Sequence, residues 1–159
     1  MLKLRGITLE NVWRIVRLKV AKAQEDYVAS NLESIAEAYA TEKSGGIALP
    51  FGLYDGEEPV GFVMFGYGAL DGENDPSVAK DSYCIWRFMI AQEHQRKGYG
   101  KQGMQAALDY LRSRPCGDAA LCWLSVEPEN EVARKLYASF GFVENGEMCE
   151  GETVMVRPL

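Results

Sequence analysis

A short turn at residues 95–100 combines residue types that could bind a phosphate group. Its sequence, Gln-Arg-Lys-Gly-Tyr-Gly, brings two cations and two glycines to the predicted start of a helix. The first N–H groups of a helix lack helical acceptors, and the helix dipole adds partial positive charge at the same point. Glycine tolerates positive φ and lets a ligand approach the backbone closely. The turn therefore predicts a seat for a phosphate or a pyrophosphate.

Two common phosphate-binding patterns fit this stretch less well. A P-loop needs Ser or Thr after its Gly-Lys, whereas a Gln follows Gly100-Lys101, and the opening glycine is also missing. The glycines within residues 98–103 do match the Gly-x-Gly-x-x-Gly pattern of dinucleotide sites. That pattern expects a βαβ unit at the start of the domain and an acidic residue after the next strand. Glu127 fits the second requirement loosely, so spacing alone leaves this interpretation open.

The composition bounds the number of domains and the kind of partner. The chain has 159 residues, 47% of them hydrophobic, so we expect one domain over residues 1–159. A net charge of −6 disfavours nucleic acid and favours a small cationic partner. No apolar run is long enough for a membrane span and no signal peptide is evident, so we expect no membrane partner and a cytoplasmic location. Four cysteines without metal-ligand spacing and one histidine predict reduced, buried thiols and no metal.

The elements that must position the turn form a mixed α/β order, β-α-α-β-β-β-α-β-α-β-β. Apolar runs and alternation predict strands, and apolar residues at i, i+3 and i+4 predict helices. The strands are expected at Leu2–Ile7, Pro50–Tyr54, Val60–Tyr67, Tyr83–Ala91, Ala120–Val126, Phe142–Cys149 and Glu152–Arg157. The helices are expected at Glu10–Val20, at Ser30–Glu42, from the glycine turn to Pro115 and from Asn130 to Gly141. The connections of interest are a loop at Gly68–Lys80 and a last hairpin turn at Glu150-Gly151, with Asn145-Gly146 as its alternative.

Capping residues and apolar stripes predict how three of these helices are placed. Ser30 and Glu33 match a capping box, and Asn130 is a typical N-cap. The inner face of the helix at 30–42 is expected to hold Ile35, Ala36, Tyr39 and Ala40. The inner face of the helix after the turn is expected to hold Met104, Ala107, Leu108 and Leu111.

The turn and a second segment together resemble the GNAT N-acetyltransferases. Residues 95–100 are similar to the family signature Q/R-x-x-G-x-G/A, which follows the fourth strand and holds the pyrophosphate of acetyl-CoA. Residues 130–142 resemble the second family block, N-x-x-A-x-x-L-Y-x-x-x-G-F. Both blocks occur in the family's order, and the predicted elements agree over nearly the whole chain. The resemblance implies a GNAT-like fold, a central mixed sheet that splays between strands 4 and 5 with helices on both faces, and acetyl-CoA as acetyl donor without a metal.

Several further segments are similar to bacterial diamine (spermidine/spermine) N-acetyltransferases, among them Val28–Asn31, Trp86–Ile90 and the carboxyl-terminal Glu150–Glu152. This resemblance implies acetyl transfer to a primary amine of a polyamine, and a homodimer, which is usual in the family. An aminoglycoside-like amine, another small amine and a protein amine stay open as acceptors. From a different class, a non-catalytic acyl-CoA-binding module also stays open.

The resemblance assigns the donor site residue by residue. The pyrophosphate would be held by Gln95, Arg96, Lys97, Gly98, Tyr99, Gly100 and Lys101. Phe88, Met89 and Ile90 would bind the pantetheine arm through their backbone, as an added strand does, with the N–H of Met89 or Ile90 facing the thioester carbonyl. The cofactor set is completed by Asn130, which would also hydrogen-bond the pantetheine, and Arg134.

The resemblance places Tyr137 beside the sulfur of coenzyme A, where it would protonate the leaving thiolate. Its spacing fits a core aromatic equally well. The fourth strand carries no acidic residue, so Glu127 is the nearest candidate for a general base. A base that acts through water, or an amine that arrives neutral, would serve as well.

Four residues are candidates for binding the amine. Glu33 and Glu37 stand at i, i+4 and would hold a second ammonium of a polyamine. Tyr39 and Trp86 would line the amine channel through cation–π contacts. A solvated acidic helix face and two core aromatics explain the same residues without a ligand.

Overall fold

The computed structural model describes residues 1–69 and 74–159, and its elements follow the predicted order. The strands are β1 (Lys3–Gly6), β2 (Ala48–Asp55), β3 (Glu58–Tyr67), β4 (Tyr83–Ile90), β5 (Leu121–Val126), β6 (Val143–Cys149) and β7 (Glu152–Pro158). The helices are α1 (Val12–Arg17), α2 (Asn31–Lys43), α3 (Tyr99–Arg112) and α4 (Glu131–Ser139). Short 3-10 segments occupy Lys22–Tyr27, Ala79–Asp81 and Gln92–His94. Residues 70–73 of the predicted loop Gly68–Lys80 lie outside the described residues.

The strands form one sheet in the order β1-β2-β3-β4-β5-β7-β6, with β4 at its centre. Among the strands of the described residues, only β4 and β5 run parallel, and their pairing is limited to Tyr83 with Cys122 and Cys84 with Trp123. The rest of β4 diverges from β5. The predicted splay between strands 4 and 5 is therefore confirmed.

A β-bulge in β4 lies just beyond the point where this pairing stops. Met64 pairs with Arg87 and Phe65 pairs with Ile85, so Trp86 is the extra residue. A bulge bends its strand and increases the local twist. The bend falls two residues after Cys84, the last residue of β4 that pairs with β5. Bulge and divergence together leave one edge of β4 facing an open cleft.

Helices cover both faces of the sheet, as predicted. On one face, α3 buries Met104, Ala107, Leu108 and Leu111, so the predicted stripe is confirmed. On the other face, Ile15 of α1 and Ala38 of α2 pack against β2, β3 and β4. Removing each such side chain from water contributes on the order of 1.5–3 kcal/mol for a residue as large as Leu.

The predicted inner face of α2 is wrong for three of its four residues, because only Ile35 among them packs against the core. Asn31, Ser34 and Ala38 are the buried residues, whereas Ala36 and Ala40 are exposed, as is Tyr39 with 66% of its surface accessible. The phase of the helix is set by polar groups that the apolar pattern ignores. The amide of Asn31 donates to the carbonyl oxygen of Ile15 over 2.9 Å and turns that side inward.

Helix α1 is shorter than the predicted Glu10–Val20 because local hydrogen bonds keep its first residues in a turn. The side-chain oxygen of Asn11 accepts the N–H of Thr8 over 2.8 Å, and its amide donates to the carbonyl of Gly6 over 2.9 Å. At the other end Leu18 is already extended.

The carboxyl-terminal part of the chain follows its predicted turns. The N–H of Ala133 donates to the side chain of Asn130 over 3.3 Å, which confirms the predicted N-cap of α4. Glu150 and Gly151, with φ of 50° and 83°, form the turn between β6 and β7. Asn145-Gly146 instead lies within β6, at an irregularity of the pairing. All four cysteines are free thiols, but only Cys122 is fully buried. Within the described residues, no helix is both long and apolar enough to cross a membrane.

Candidate functional site

A cleft of about 980 Å³ opens where β4 and β5 diverge. Its walls come from β4, from α4, from the segment at 24–29 and from the turn between β6 and β7. The glycine turn of residues 95–100 contributes Gln95, Arg96 and Gly100 to the lining. The strand divergence thus brings the two sequence blocks, which are 30 residues apart, to one cavity.

The backbone of the glycine turn is shaped to present N–H groups. Arg96 and Gly98 have φ of 62° and 82°, and α3 begins directly after Gly98. The N–H of Gln102 donates to the carbonyl of Gly98 over 3.2 Å, which closes the first turn of the helix. The N–H groups between these two residues therefore have no helical acceptor. A Cβ built on Gly98 meets no atom within 4 Å, so the left-handed backbone, not crowding by the protein, favours glycine here.

Gln95 joins the turn to its surroundings. Its amide donates to the carbonyl of Ile90 over 3.0 Å and to the side chain of Gln24 over 2.8 Å. Gln24 also accepts the N–H of Ala21 over 3.1 Å. The turn, the end of β4 and the segment at 22–27 are thereby fixed to one another.

The remaining side chains of the turn are arranged around the cleft without lining it. Lys97 donates to the carbonyl of Glu93 over 2.9 Å, and the hydroxyl of Tyr99 donates to Asp55. Lys101 is exposed on the first turn of α3. These two lysines supply long-range positive charge, whereas Gln95, Arg96 and Gly100 stand at the surface of the cleft.

The open edge of β4 presents its backbone to the cleft through Phe88 and Ile90. The N–H of Ala91 donates to the carbonyl of Val60 in the direction of β3, over 2.9 Å. N–H groups alternate between the two edges of a strand. The N–H of Met89 therefore faces β3, whereas those of Phe88 and Ile90 face the cleft. Of the two predicted candidates for the thioester carbonyl, the geometry favours Ile90 over Met89, and it adds Phe88.

Tyr137 lines the cleft from α4 and is buried, with 8% of its surface exposed. Burial, helped by the negative charge of Glu152, raises the pKa of its phenol well above the usual range. Such a phenol keeps its proton at all ordinary pH values and can donate it. Asn130 lines the same cleft while it caps α4. Arg134 does not reach the lining, because it donates to the carbonyl of Pro128 over 3.0 Å and pairs with Glu144.

Four acidic residues, here called the acidic cluster, line the cleft together with Arg87 of β4. The cluster consists of Glu37, Asp75, Glu150 and Glu152. Arg87 pairs with Glu37 over 2.7 Å and lies 5.6 Å from the centre of the Trp86 ring. The positive charge of Arg87 also lowers the pKa of Glu152 and that of Cys84. The negative charge of Asp75 raises the pKa of Cys84. Two more carboxylates, Glu25 and Asp26, line the wall beside the cluster. A site with this charge attracts a cation.

Three of the residues predicted to act on the amine lie elsewhere. The carboxylate of Glu33 accepts the N–H of Ser30 over 3.0 Å and its hydroxyl over 2.9 Å, and these bonds lower its pKa. Tyr39 is exposed on α2 with the ammonium of Lys43 5.3 Å from its ring centre. Glu127 follows β5 outside the lining of the cleft. Of the predicted acceptor set, only Glu37 and Trp86 line the cavity.

Sequence reasoning missed Glu152, the first residue of β7. It is partly buried in the cleft, and burial raises the pKa of its carboxyl group. The charges of Glu127 and Glu150 raise this pKa further, whereas the Ser125 hydroxyl and Arg87 lower it. The sequence signal that could have found it is the pair of glutamates on either side of Gly151. The pair was overlooked because a hairpin turn alone accounts for this segment. Within residues 1–69 and 74–159, no three His, Cys, Asp or Glu side chains group as a metal site would require.

Comparison with known proteins identifies the family and finds relatives that match either the whole chain or part of it. The family model that describes the acetyltransferase (GNAT) family matches residues 13–142. The chain is 31% identical to the spermine/spermidine N(1)-acetyltransferase of Bacillus subtilis strain 168, over 99% of both chains. It is 28% identical to the ribosomal protein bS18 alanine N-acetyltransferase of Escherichia coli K12, over 59% of this chain and 62% of that one.

Solved structures share the fold at low identity. Aminoglycoside acetyltransferase AAC(6')-Ib in complex with coenzyme A and kanamycin has a TM-score of 0.75 at 19% identity, covering 99% of this chain and 95% of that one. Spermidine N-acetyltransferase from Vibrio cholerae in complex with coenzyme A and spermine has a TM-score of 0.67 at 23% identity, covering 99% and 95%. Both resemblances extend over nearly the whole chain.

Proposed function

Because the chain belongs to the acetyltransferase (GNAT) family and is an acetyl-CoA-dependent N-acetyltransferase, we propose that its acceptor is a polyamine such as spermidine or spermine. The observation that carries the choice of acceptor is the acidic cluster that lines the cleft with Arg87. The full-length similarity to a spermine/spermidine acetyltransferase supports the same choice.

We propose that the glycine turn holds the donor by its pyrophosphate. Arg96 stands at the cleft surface, and the N–H groups that follow Gly98 are unpaired within the helix. Main-chain donors of this kind form charge-assisted hydrogen bonds with a phosphate, each contributing about 1.5–3 kcal/mol. The pantetheine arm would then run along the open edge of β4, where Phe88 and Ile90 present N–H groups and Asn130 lies opposite.

The acetyl transfer that follows needs a proton donor for the leaving thiolate and a stabiliser for the oxyanion. Tyr137 supplies the proton, because its raised pKa keeps the phenol protonated and its burial places the hydroxyl away from bulk water. The N–H groups of Phe88 and Ile90 stabilise the tetrahedral oxyanion, since charge that develops beside fixed backbone donors needs no solvent reorganisation. Both roles belong to residues that line the same cleft.

A polyamine suits the acceptor part of the cleft because its charges are spread along a chain. Four carboxylates line this part of the cleft with one arginine, Arg87, and Glu37 is paired with that arginine. The other three carboxylates come from two segments of the lining, Asp75 from the connection before β4 and Glu150 and Glu152 from the β6–β7 hairpin, which suits a ligand with more than one ammonium group. Trp86 adds an aromatic face at the bulge of β4.

The test is thiol release from acetyl-CoA over a panel of amines. The panel contains spermine, spermidine, putrescine, kanamycin and a short peptide with a free amino terminus. We expect saturable release with spermidine or spermine and a kcat/KM at least 100-fold above that for kanamycin or the peptide. Release with kanamycin or the peptide alone would reassign the acceptor. Tight acetyl-CoA binding without release under any amine would mean a binding module.

A further inference from the structure

Glu152 is a partly buried carboxylate that lines the same cleft as Tyr137. It begins β7, two residues before Val154, which pairs with Ser125 of β5. Residues two apart on a strand share a face, so Glu152 lies diagonally opposite Ser125 on the side that faces the cleft. Glu152, Ser125 and Tyr137 all line this cavity.

The other carboxylates of the cleft differ from Glu152 in exposure or in pairing. Glu25, Asp26 and Glu150 are exposed, and Glu37 forms an ion pair with Arg87. Glu127, the base that the sequence predicted, lies outside the lining and acts on Glu152 only through its charge. Glu152 is partly buried, and its negative charge reaches the phenol of Tyr137 on α4.

We propose that Glu152 is the general base that takes the proton from the ammonium group of the acceptor. The inference rests on the proposed amine acetylation. The N–H bond of the ammonium breaks and its proton moves to a carboxylate oxygen of Glu152, which leaves a lone pair on nitrogen. That lone pair attacks the thioester carbon, and the C–S bond then breaks with the proton of Tyr137 going to sulfur. The phenolate regains a proton from the nitrogen of the new amide, and Glu152 releases its own proton to water.

The surroundings of Glu152 adjust its basicity in the required direction. Burial and the charges of Glu127 and Glu150 raise the pKa of its carboxyl group, and a stronger base takes a proton more readily. The Ser125 hydroxyl and Arg87 of β4 oppose this rise. A free alkylamine has a pKa of about 10.4, and partial burial of the ammonium lowers that value toward the base.

The experiment compares four variants by steady-state kinetics with spermidine from pH 6 to pH 10. For Glu152→Gln we expect kcat to fall by about 100- to 1,000-fold at pH 7, because general bases contribute factors of this size. Its log kcat should rise with unit slope up to the pKa of the amine, whereas the wild type levels off earlier. Glu127→Gln should lose less than threefold in kcat. Glu129→Gln, exposed and outside the cleft, is the control for charge.

Three results would overturn the assignment. A Glu152→Gln enzyme that keeps kcat and raises only the KM of spermidine would make Glu152 an ammonium anchor. Loss of kcat in Glu127→Gln alone would restore the base predicted from the sequence. Glu152→Asp keeps the carboxylate, so it should retain the wild-type pH profile with an intermediate kcat. If Glu152→Asp instead shows the pH profile of Glu152→Gln, residue 152 does not act as a base. If the wild-type enzyme releases no thiol with any of the amines, the proposed function itself is wrong, and this is known before any variant is measured.

Discussion

The glycine turn and the acidic cluster serve the same cleft but are built in opposite ways. The turn uses backbone N–H groups of one contiguous segment, and its geometry is set by the positive φ of Arg96 and Gly98. The cluster uses side chains from α2, from residue 75 and from the β6–β7 hairpin, and it lines the cleft together with Arg87. Under the proposed assignment, donor binding depends on main-chain shape, whereas acceptor choice depends on the net charge of dispersed side chains.

Tyr137, which stands between the two regions, should give the largest effect. Tyr137→Phe keeps the ring in its packing against Phe142, whose ring centre is 6.2 Å away, and removes only the hydroxyl. We expect kcat to fall by about 1,000-fold, since proton donation contributes about 10²–10⁴-fold. The affinities for coenzyme A and for spermidine should change less than threefold, as equilibrium binding would measure.

The pH dependence sharpens this prediction. The pKa of Tyr137 is raised above its usual value, so the proton donor stays protonated through pH 10. The wild-type rate should therefore show no alkaline loss from ionisation of this group. An alkaline limb that disappears in Tyr137→Phe would show that the phenol ionises within this pH range, which would contradict its raised pKa but not its role as proton donor.

The two regions also differ in how far the sequence could predict them. The turn and the block at 130–142 are each one unbroken segment, so the sequence predicts the start of a helix at each and, for the turn, a phosphate ligand. Asn130 caps α4 as the sequence indicates, and the stripe on α3 is buried as expected.

The acidic cluster could not be predicted because its members are far apart in the chain. Glu37 and Glu152 line one cleft only after α2 has packed on the sheet and β7 has paired with β5. The pair Glu33 and Glu37 was misleading, since local bonds to Ser30 engage one of the two carboxylates. Tyr39 was placed on the wrong face because the polar Asn31, not the apolar residues, sets the phase of α2.

The second prediction concerns a variant of the glycine turn that should impair donor binding and leave the acidic cluster unchanged. Gly98→Val forces a branched side chain into a left-handed backbone and disturbs the N–H groups after it. We expect the Kd for coenzyme A to rise on the order of 100-fold, which corresponds to the loss of one or two charge-assisted hydrogen bonds. Isothermal titration calorimetry would measure it.

Gly146→Val provides the matched control for Gly98→Val. Gly146 has a φ of 86° and open space around its Cα, and it lies in β6 away from the cleft lining. Both variants should lose similar stability from backbone strain, about 1–2 kcal/mol. Equal loss of coenzyme A affinity in the two would show that strain, and not the phosphate seat, explains the effect.

The third prediction concerns a variant of the acidic cluster that should impair acceptor binding and leave the glycine turn unchanged. Glu37→Gln removes one negative charge and leaves Arg87 without its partner at 2.7 Å. The unpaired cation then repels an ammonium ligand, so we expect the KM of spermidine to rise about tenfold, equal to about 1.4 kcal/mol. The Kd for coenzyme A should stay within twofold.

The control for Glu37→Gln lies on the same helix. Glu42→Gln makes the same charge change at an exposed position of α2 outside the cleft lining. Its KM for spermidine should remain within twofold of wild type at 0.15 M salt, where distant charges are screened. A comparable rise in both variants would assign the effect to the overall charge of the protein.

The smallest effect is expected from Ser30→Ala, which touches neither region. Ser30 and Glu33 form the capping box of α2, and their hydrogen bonds lower the pKa of Glu33. A carboxyl group whose pKa is lowered on folding stabilises the fold above its unfolded pKa of about 4.3, and this contribution is lost as the pH falls through the lower folded value. Removing an N-cap costs about 1 kcal/mol, so thermal unfolding at pH 7 should shift down by a few degrees.

The pH dependence separates this local role from any role in binding. At pH 2, where Glu33 is protonated in both states, the difference in stability between Ser30→Ala and wild type should shrink. The kcat and the KM for spermidine should be unchanged at pH 7, because neither residue lines the cleft. A raised KM for spermidine in Ser30→Ala would mean that the start of α2 positions Glu37, and the acidic cluster would then depend on helix capping as well as on charge.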